Sequence, residues 1–190
     1  DNCLPGAHFA YAYVALRNTC AGLEISGPTT VCSNTNQTYS VPALASASYT
    51  WTVPAGWTII SGANTNIITV QAGSTGGQII AHEVNGCADL LDTINVRTTA
   101  PTLAGDVNSD NIVCSGNNST TMTLSGERGT ILNWISSNDG VIWATLGSIT
   151  SNTYTANNLT TTTHFAALVQ NGLSCSVDTS LSAIVTVNPK

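Results

Sequence analysis

The sequence predicts an all-β chain of two β-sandwich modules in tandem, preceded by one strand of a partial or strand-exchanged domain. Three observations predict it. A Cys–Trp–Cys frame occurs twice, as Cys32–Trp51–Cys87 and Cys114–Trp134–Cys175, with 19 and 20 positions from first cysteine to tryptophan. Short β-prone runs recur between Gly, Pro and Asn turn signals, the spacing of an all-β sandwich. Charged residues are only 7% of the 190, while hydrophobic residues are 42%, which excludes a disordered chain. Thr, Ser and Asn replace charge as the solvating residues, and Thr also suits a pleated surface.

Residues 1–23 contain one good strand, HFAYAYVAL at 8–16. Both of its faces are apolar, so it wants cover on both sides, which one strand cannot supply. It therefore ends a preceding domain or adds to a neighbour's sheet. Residues 24–98 form the first complete module, with strands expected over 24–26, 37–41, 48–53, 58–61, 66–71, 78–83 and 90–97. A short connection containing Pro101 follows, and proline restricts the angle between modules. Residues 103–189 form the second module, with strands over 111–115, 120–125, 131–136, 141–146, 152–155, 161–170 and 180–187. Its centre, ILNWISSNDGVIW, reads as a hairpin with a tight turn at Asn138-Asp139-Gly140.

Net charge is −6, with four Lys plus Arg. That excludes nucleic acid as a partner, since binding it needs a basic footprint. No apolar run approaches the roughly 20 residues of a membrane-spanning helix. Asp1 reads as a mature or processed end, or as the edge of a longer chain. The six cysteines are Cys3, Cys20, Cys32, Cys87, Cys114 and Cys175. None lies in a C-x-x-C pair or at zinc spacing. Sequential pairing, one bridge per segment, is the simplest reading; six buried free thiols is the other. Bridges imply an oxidising compartment and about 2–4 kcal/mol each.

The first module, with Val31-Cys32, Thr38-Tyr39-Ser40-Val41, Tyr49-Thr50-Trp51 and the Pro54-Ala55-Gly56-Trp57 turn, resembles the PKD-like, immunoglobulin-like domains of large secreted Bacteroidota proteins. The second module is similar to the immunoglobulin-like repeat of gliding-motility-type adhesins from the same phylum. There the carrying residues are Ile112-Val113-Cys114-Ser115-Gly116, Trp134-Ile135-Ser136-Ser137, Asp139-Gly140, Trp143 and Thr163-His164-Phe165-Ala166-Ala167. Ile135, His164 and Ala166 depart from the usual pattern and make the surface more apolar. The resemblance implies tandem immunoglobulin-like β-sandwiches on an extracellular protein exported by the type IX pathway, acting in adhesion, gliding or filament architecture.

Trp51 and Trp134 are the expected core anchors. Trp57 and Trp143 are candidates for stacking on sugar rings, against the plainer role of capping the sheet. Asp106, Asn108 and Asp110 alternate as a calcium loop begins, yet the sharp-turn glycine and the bidentate glutamate are missing. Asp92-Thr93-Ile94 resembles the phylum's O-glycosylation pattern, which makes Thr93 a candidate site. His8, His82 and His164 sit in separate strands and read as ordinary strand histidines. No G-x-S-x-G is present, and no clustered titratable groups suggest an enzyme.

The expected function is a non-enzymatic cell-surface stalk, adhesin or filament without cofactor. It would self-associate through residues 1–23 or adjoin neighbouring modules. The alternative is a carbohydrate-binding accessory region of a secreted polysaccharide-degrading enzyme, with surface polysaccharide as ligand.

Overall fold

Period-2 burial marks the strands of the first sandwich: β1 (Thr30–Cys32), β2 (Asn36–Ser40), β3 (Ser48–Thr52), β4 (Thr58–Ser61), β5 (Ile67–Gln71), β6 (Gly77–Val84) and β7 (Asp89–Thr99). Along β3, Tyr49 and Trp51 face inward while Ser48, Thr50 and Thr52 face out. Along β6, Ile79, Ala81 and Glu83 are the buried positions. The computed structural model describes residues 22–86, 88–108 and 110–190. The expected strand at 8–16, with Cys3 and Cys20, lies outside them, as do Cys87 and Ser109.

The first module packs a sheet in the order β1-β7-β6-β3 against a sheet in the order β2-β5-β4. β1 runs parallel to β7, with Cys32 opposite Thr99, and the remaining pairings are antiparallel. The expected strand at 24–26 reduces to a single bridge between Ser26 and Ser40. Its follower, Gly27, lies flat on Tyr39: a β-carbon there would sit 2.2 Å from the ring. Only glycine lets Tyr39 close the core at that point. Tyr39 is fully buried and its hydroxyl donates to the Pro28 carbonyl at 2.9 Å. Burial pushes that hydroxyl's pKa up to about 12.

The second module contains β8 (Asp106–Asn108), β9 (Asn111–Cys114), β10 (Ser119–Ser125), β11 (Thr130–Ser137), β12 (Ala144–Thr145), β13 (Thr153–Asn157), β14 (Thr163–Gln170), β15 (Val177–Thr179) and β16 (Ala183–Asn188). One sheet runs β12-β11-β14-β16-β9, with β15 hairpinned onto β14, and the other runs β13-β10-β8. The same plan therefore appears twice. β9 repeats β1, because each runs parallel to the last strand of its module. β11 repeats β3 and carries the tryptophan. The second module has no counterpart of β4, so β13 is the edge of its sheet.

The anchor tryptophans do the same work in both modules. Trp134 is fully buried, and its indole N–H donates to the Ser151 carbonyl at 2.8 Å, just before β13 in the facing sheet. Trp51 donates to the Thr65 carbonyl at 2.9 Å, just before β5 in the facing sheet. Each indole thus ties one sheet to the other through the core.

Two expectations are corrected. The strand over 141–146 shrinks to the two residues of β12, because Asp139 takes the backbone N–H groups of Val141 and Ile142 that a ladder would use. Two of the sequential disulfides, Cys32–Cys87 and Cys114–Cys175, are also wrong: Cys32 is bonded to Cys175, and Cys114 is a free, exposed thiol. The reason is placement. Cys114 pairs with Asn188 beyond the start of β14, whereas Cys175 follows the end of β14, so the two lie at opposite ends of one module.

Candidate functional site

The junction between the modules joins a disulfide to side-chain hydrogen bonds. Cys32 ends β1 at the far end of the first module, and Cys175 sits in the loop between β14 and β15 of the second. Their Cα atoms are 4.9 Å apart, and both residues are 4% exposed. Hydrogen bonds flank the disulfide. The Asn171 side-chain amide donates to the Ala100 carbonyl at 2.8 Å, and its backbone N–H donates to the Thr102 hydroxyl at 3.1 Å. The Thr102 hydroxyl donates in turn to the Ser176 carbonyl at 2.8 Å. The loop 171–176 therefore grips the connecting segment 99–102 from the second module, while the disulfide fixes it to the first. Pro101 alone would only restrict this connection; the bridge makes it a second covalent tie.

At the opposite end of the second module a rigid loop displays two apolar side chains. Ser137 Oγ accepts the Gly140 N–H at 2.9 Å and donates to the Asp139 carboxylate at 2.8 Å. That carboxylate accepts the Val141 and Ile142 N–H groups, both at 2.8 Å. Gly140 has φ +71°, a left-handed conformation that favours glycine, and it lies beside the His164 ring. Val141 and Ile142 stand 78% and 76% exposed on this scaffold.

The Ile142 and Val141 N–H groups, with the Ser137 hydroxyl, hold the Asp139 carboxyl at about 2, below its usual 3.8. A carboxyl whose pKa is lowered by folding contributes fully above its unfolded value and loses that contribution as pH falls through the folded one. The amide NMR resonances of Val141 and Ile142 are therefore expected to hold from pH 7 to about 4 and to shift as pH falls from there towards about 2. In Asp139→Ala the same resonances are expected to broaden at pH 7.

The other sequence candidates disperse. Trp57 is buried at 7% exposure, with its indole N–H on the Thr75 carbonyl at 2.8 Å, so its face is core and not a sugar platform. Trp143 is half-buried beside the display loop. Thr93 is exposed on β7, open to modification. Asp106 and Asn108 lie on β8 in one sheet, and Asp110 accepts the Ile184 N–H at 2.7 Å where the chain crosses to the other. Among the described residues no group of His, Cys, Asp and Glu is placed to hold a metal. His82 pairs with Asp89 on the surface, and His164 lies by Gly140 in the other module.

Sequence reasoning missed Glu83, which is 2% exposed and accepts from the Asn85 side-chain amide. It occupies an inward position on β6, and period-2 alternation from Ile79 was the signal that could have found it.

Residues 18–96 match the family model of a PKD-like domain. Residues 103–189 match a domain of unknown function (DUF8696). Among curated proteins, none matches the chain. Solved structures similar to it include extracellular domains 3–5 of Drosophila OTK, at TM-score 0.55 and 8% identity over 87% of this chain. A marsupial T cell receptor is similar at TM-score 0.55 and 13% identity, over 88% of this chain and 73% of its own. So are the three N-terminal domains of the bacteriophage RB49 Highly Immunogenic Outer Capsid protein, at TM-score 0.51 and 13% identity, over 88% of this chain and 69% of theirs. The chain spans 62% of the OTK fragment. At these identities the likeness concerns fold, and the fold is a tandem of immunoglobulin-like β-sandwiches.

Proposed function

We propose that the chain is a non-enzymatic extracellular structural or adhesive element of a cell surface, in which two immunoglobulin-like modules act as one rigid strut. The Cys32–Cys175 bond carries this reading. A disulfide between modules contributes little to either core, and its main effect is to suppress the bending that a short connection otherwise permits. Disulfides persist outside the cytosol, which supports the extracellular setting. The phylum-level part, a Bacteroidota surface protein delivered by the type IX pathway, rests on the resemblance of both modules to such repeats.

Small-angle X-ray scattering tests the strut directly. The oxidised protein is expected to fit a single conformation. Cys32→Ser or added reductant is expected to broaden the distribution of end-to-end distances while both modules stay folded. A broad distribution in the oxidised protein would remove the reading.

A further inference from the structure

We propose that the two free ends of this strut bind each other, so that the Val141–Ile142 loop of one copy seats in a cavity on the first module of a second copy. The loop stands at one free end. β11 begins at Thr130, beside Gln170 and the clasp loop, and ends at Ser137 beside His164. The loop that follows therefore leaves the second module on the side away from the junction. Val141 and Ile142 are strongly exposed there, while Ser137 and Asp139 bind the backbone that carries them. Docking such a loop costs little further ordering, because its backbone is already fixed. Two adjoining branched apolar side chains on a fixed turn form a knob, and nothing in their own module covers it.

A matching hole lies at the other free end. A cavity of about 590 Å³ opens between residues 24–27 and 40–42 of the first module. Buried Ile25 and Val41 give it an apolar lining, and exposed Glu24, Ser26 and Pro42 surround them. Its place follows from the strands. β2 starts beside Cys32, where the Thr35 hydroxyl donates to the Cys32 carbonyl at 2.6 Å, and runs away from the junction to Ser40, which bridges to Ser26. The Ile25 N–H is held by the Asp92 carboxylate at 2.7 Å, close to the end of β7 that is far from Thr99. Ile67, opposite Ser40 on β5, adds an exposed apolar side chain at the same end.

Three observations make a second copy the occupant. The clasp holds knob and hole at opposite ends of one body, so a copy does not fill its own cavity. Charge is complementary between the ends. Within residues 22–99 the carboxylates are Glu24, Glu83, Asp89 and Asp92, and all lie in the half of the module away from the junction. Among the described cations, Lys190 stands at the loop end, its ammonium beside Gly116, whereas Arg97 and Arg128 lie towards the junction. Stacking end to end is also the arrangement that the two modules already adopt within one copy. A contact between unlike patches does not close on itself, so it repeats, and copies joined this way form a head-to-tail filament. This inference rests on the strut reading, which fixes the separation of knob and hole, and it names the strut's neighbour.

The test uses the full oxidised chain, with the chain itself as the probe. In analytical ultracentrifugation the weight-average mass of the parent is expected to rise with concentration past that of a dimer. Ile142→Asp and Ser26→Arg are each expected to stay monomeric with the near-ultraviolet dichroism of the parent, since one spoils the knob and the other fills the hole. The double variant Val141→Ser, Ile142→Ser is expected to show the same loss without an added charge. An equimolar mixture of Ile142→Asp and Ser26→Arg is expected to form a heterodimer and nothing larger, because each keeps the half that the other lacks. A parent that stays monomeric overturns the proposal. So does a mass that levels off at the dimer, growth that survives in any of the variants, or a mixture that stays monomeric. A monomeric parent that fits a single conformation in scattering ends the filament and leaves the strut standing, so the two readings fail separately.

Discussion

Replacing Cys175 by alanine is expected to lower the unfolding free energy of the oxidised protein by about 2–5 kcal/mol, and to split one urea transition into two. The bond closes a loop with a sequence separation of 143. Cross-linking so long a loop removes much unfolded-state entropy in the chain-entropy model, with an upper value near 5 kcal/mol. The lower end applies where the bond joins two bodies that each keep a core. The remaining junction bonds, from Asn171 and Thr102, contribute about 1 kcal/mol each and do not hold the modules alone. Cys32→Ala is expected to have the same effect, and the double variant no more than either single one, since both remove one bond. A midpoint unchanged in the single variants would show that the bond contributes nothing to folding.

Trp134→Ala is expected to cost about 3–5 kcal/mol, more than the structurally equivalent Trp51→Ala. Trp134 is fully buried and stacks on Tyr154 at 5.7 Å, which in turn meets Phe165 at 5.6 Å. Truncation removes the indole from one end of that aromatic row and leaves a cavity between the sheets. Trp51 is 9% exposed, so less is lost there. Trp134→Phe separates the two parts of the effect. It keeps most of the apolar volume and loses the donor to the Ser151 carbonyl, for about 1–3 kcal/mol. Chemical denaturation with near-ultraviolet dichroism measures both variants. Equal costs for Phe and Ala would mean that the hydrogen bond, not packing, carries the anchor.

Strand positions were legible because alternation is a local signal. β2 to β7 fall close to the expected runs, and the two tryptophans stand where the repeated frame puts them. What failed depended on three-dimensional placement. Trp57 follows a Pro-Ala-Gly turn, as an exposed residue does, yet the chain folds it back to Thr75. The loop after Asn138 looked like a hairpin because Val141 and Ile142 favour strands; one carboxylate claims their N–H groups instead. Cysteine pairing failed for a similar reason. A count of six is satisfied by sequential bridges, and spacing says nothing about which end of a sandwich a residue occupies. A clue did exist, since Cys175 lies past the end of the strand expected over 161–170, beyond Asn171-Gly172. The clasp residues Asn171 and Thr102 carried no signal at all in a chain where Asn and Thr are the ordinary solvating residues.

The clasp also redraws the path of mechanical load. Tension applied between the two ends of the described chain does not run through both sandwiches in series. It enters along the segment before Cys32, crosses the sulfur–sulfur bond, and leaves from Cys175 through β15 and β16. The span between the two cysteines is shunted, and with it both anchor tryptophans and most of both cores. Fully extended, that span represents roughly 500 Å of hidden contour length. An intact bond withholds that length, so under pull the molecule behaves as a tether of nearly fixed reach; cutting the bond turns it into an extensible one.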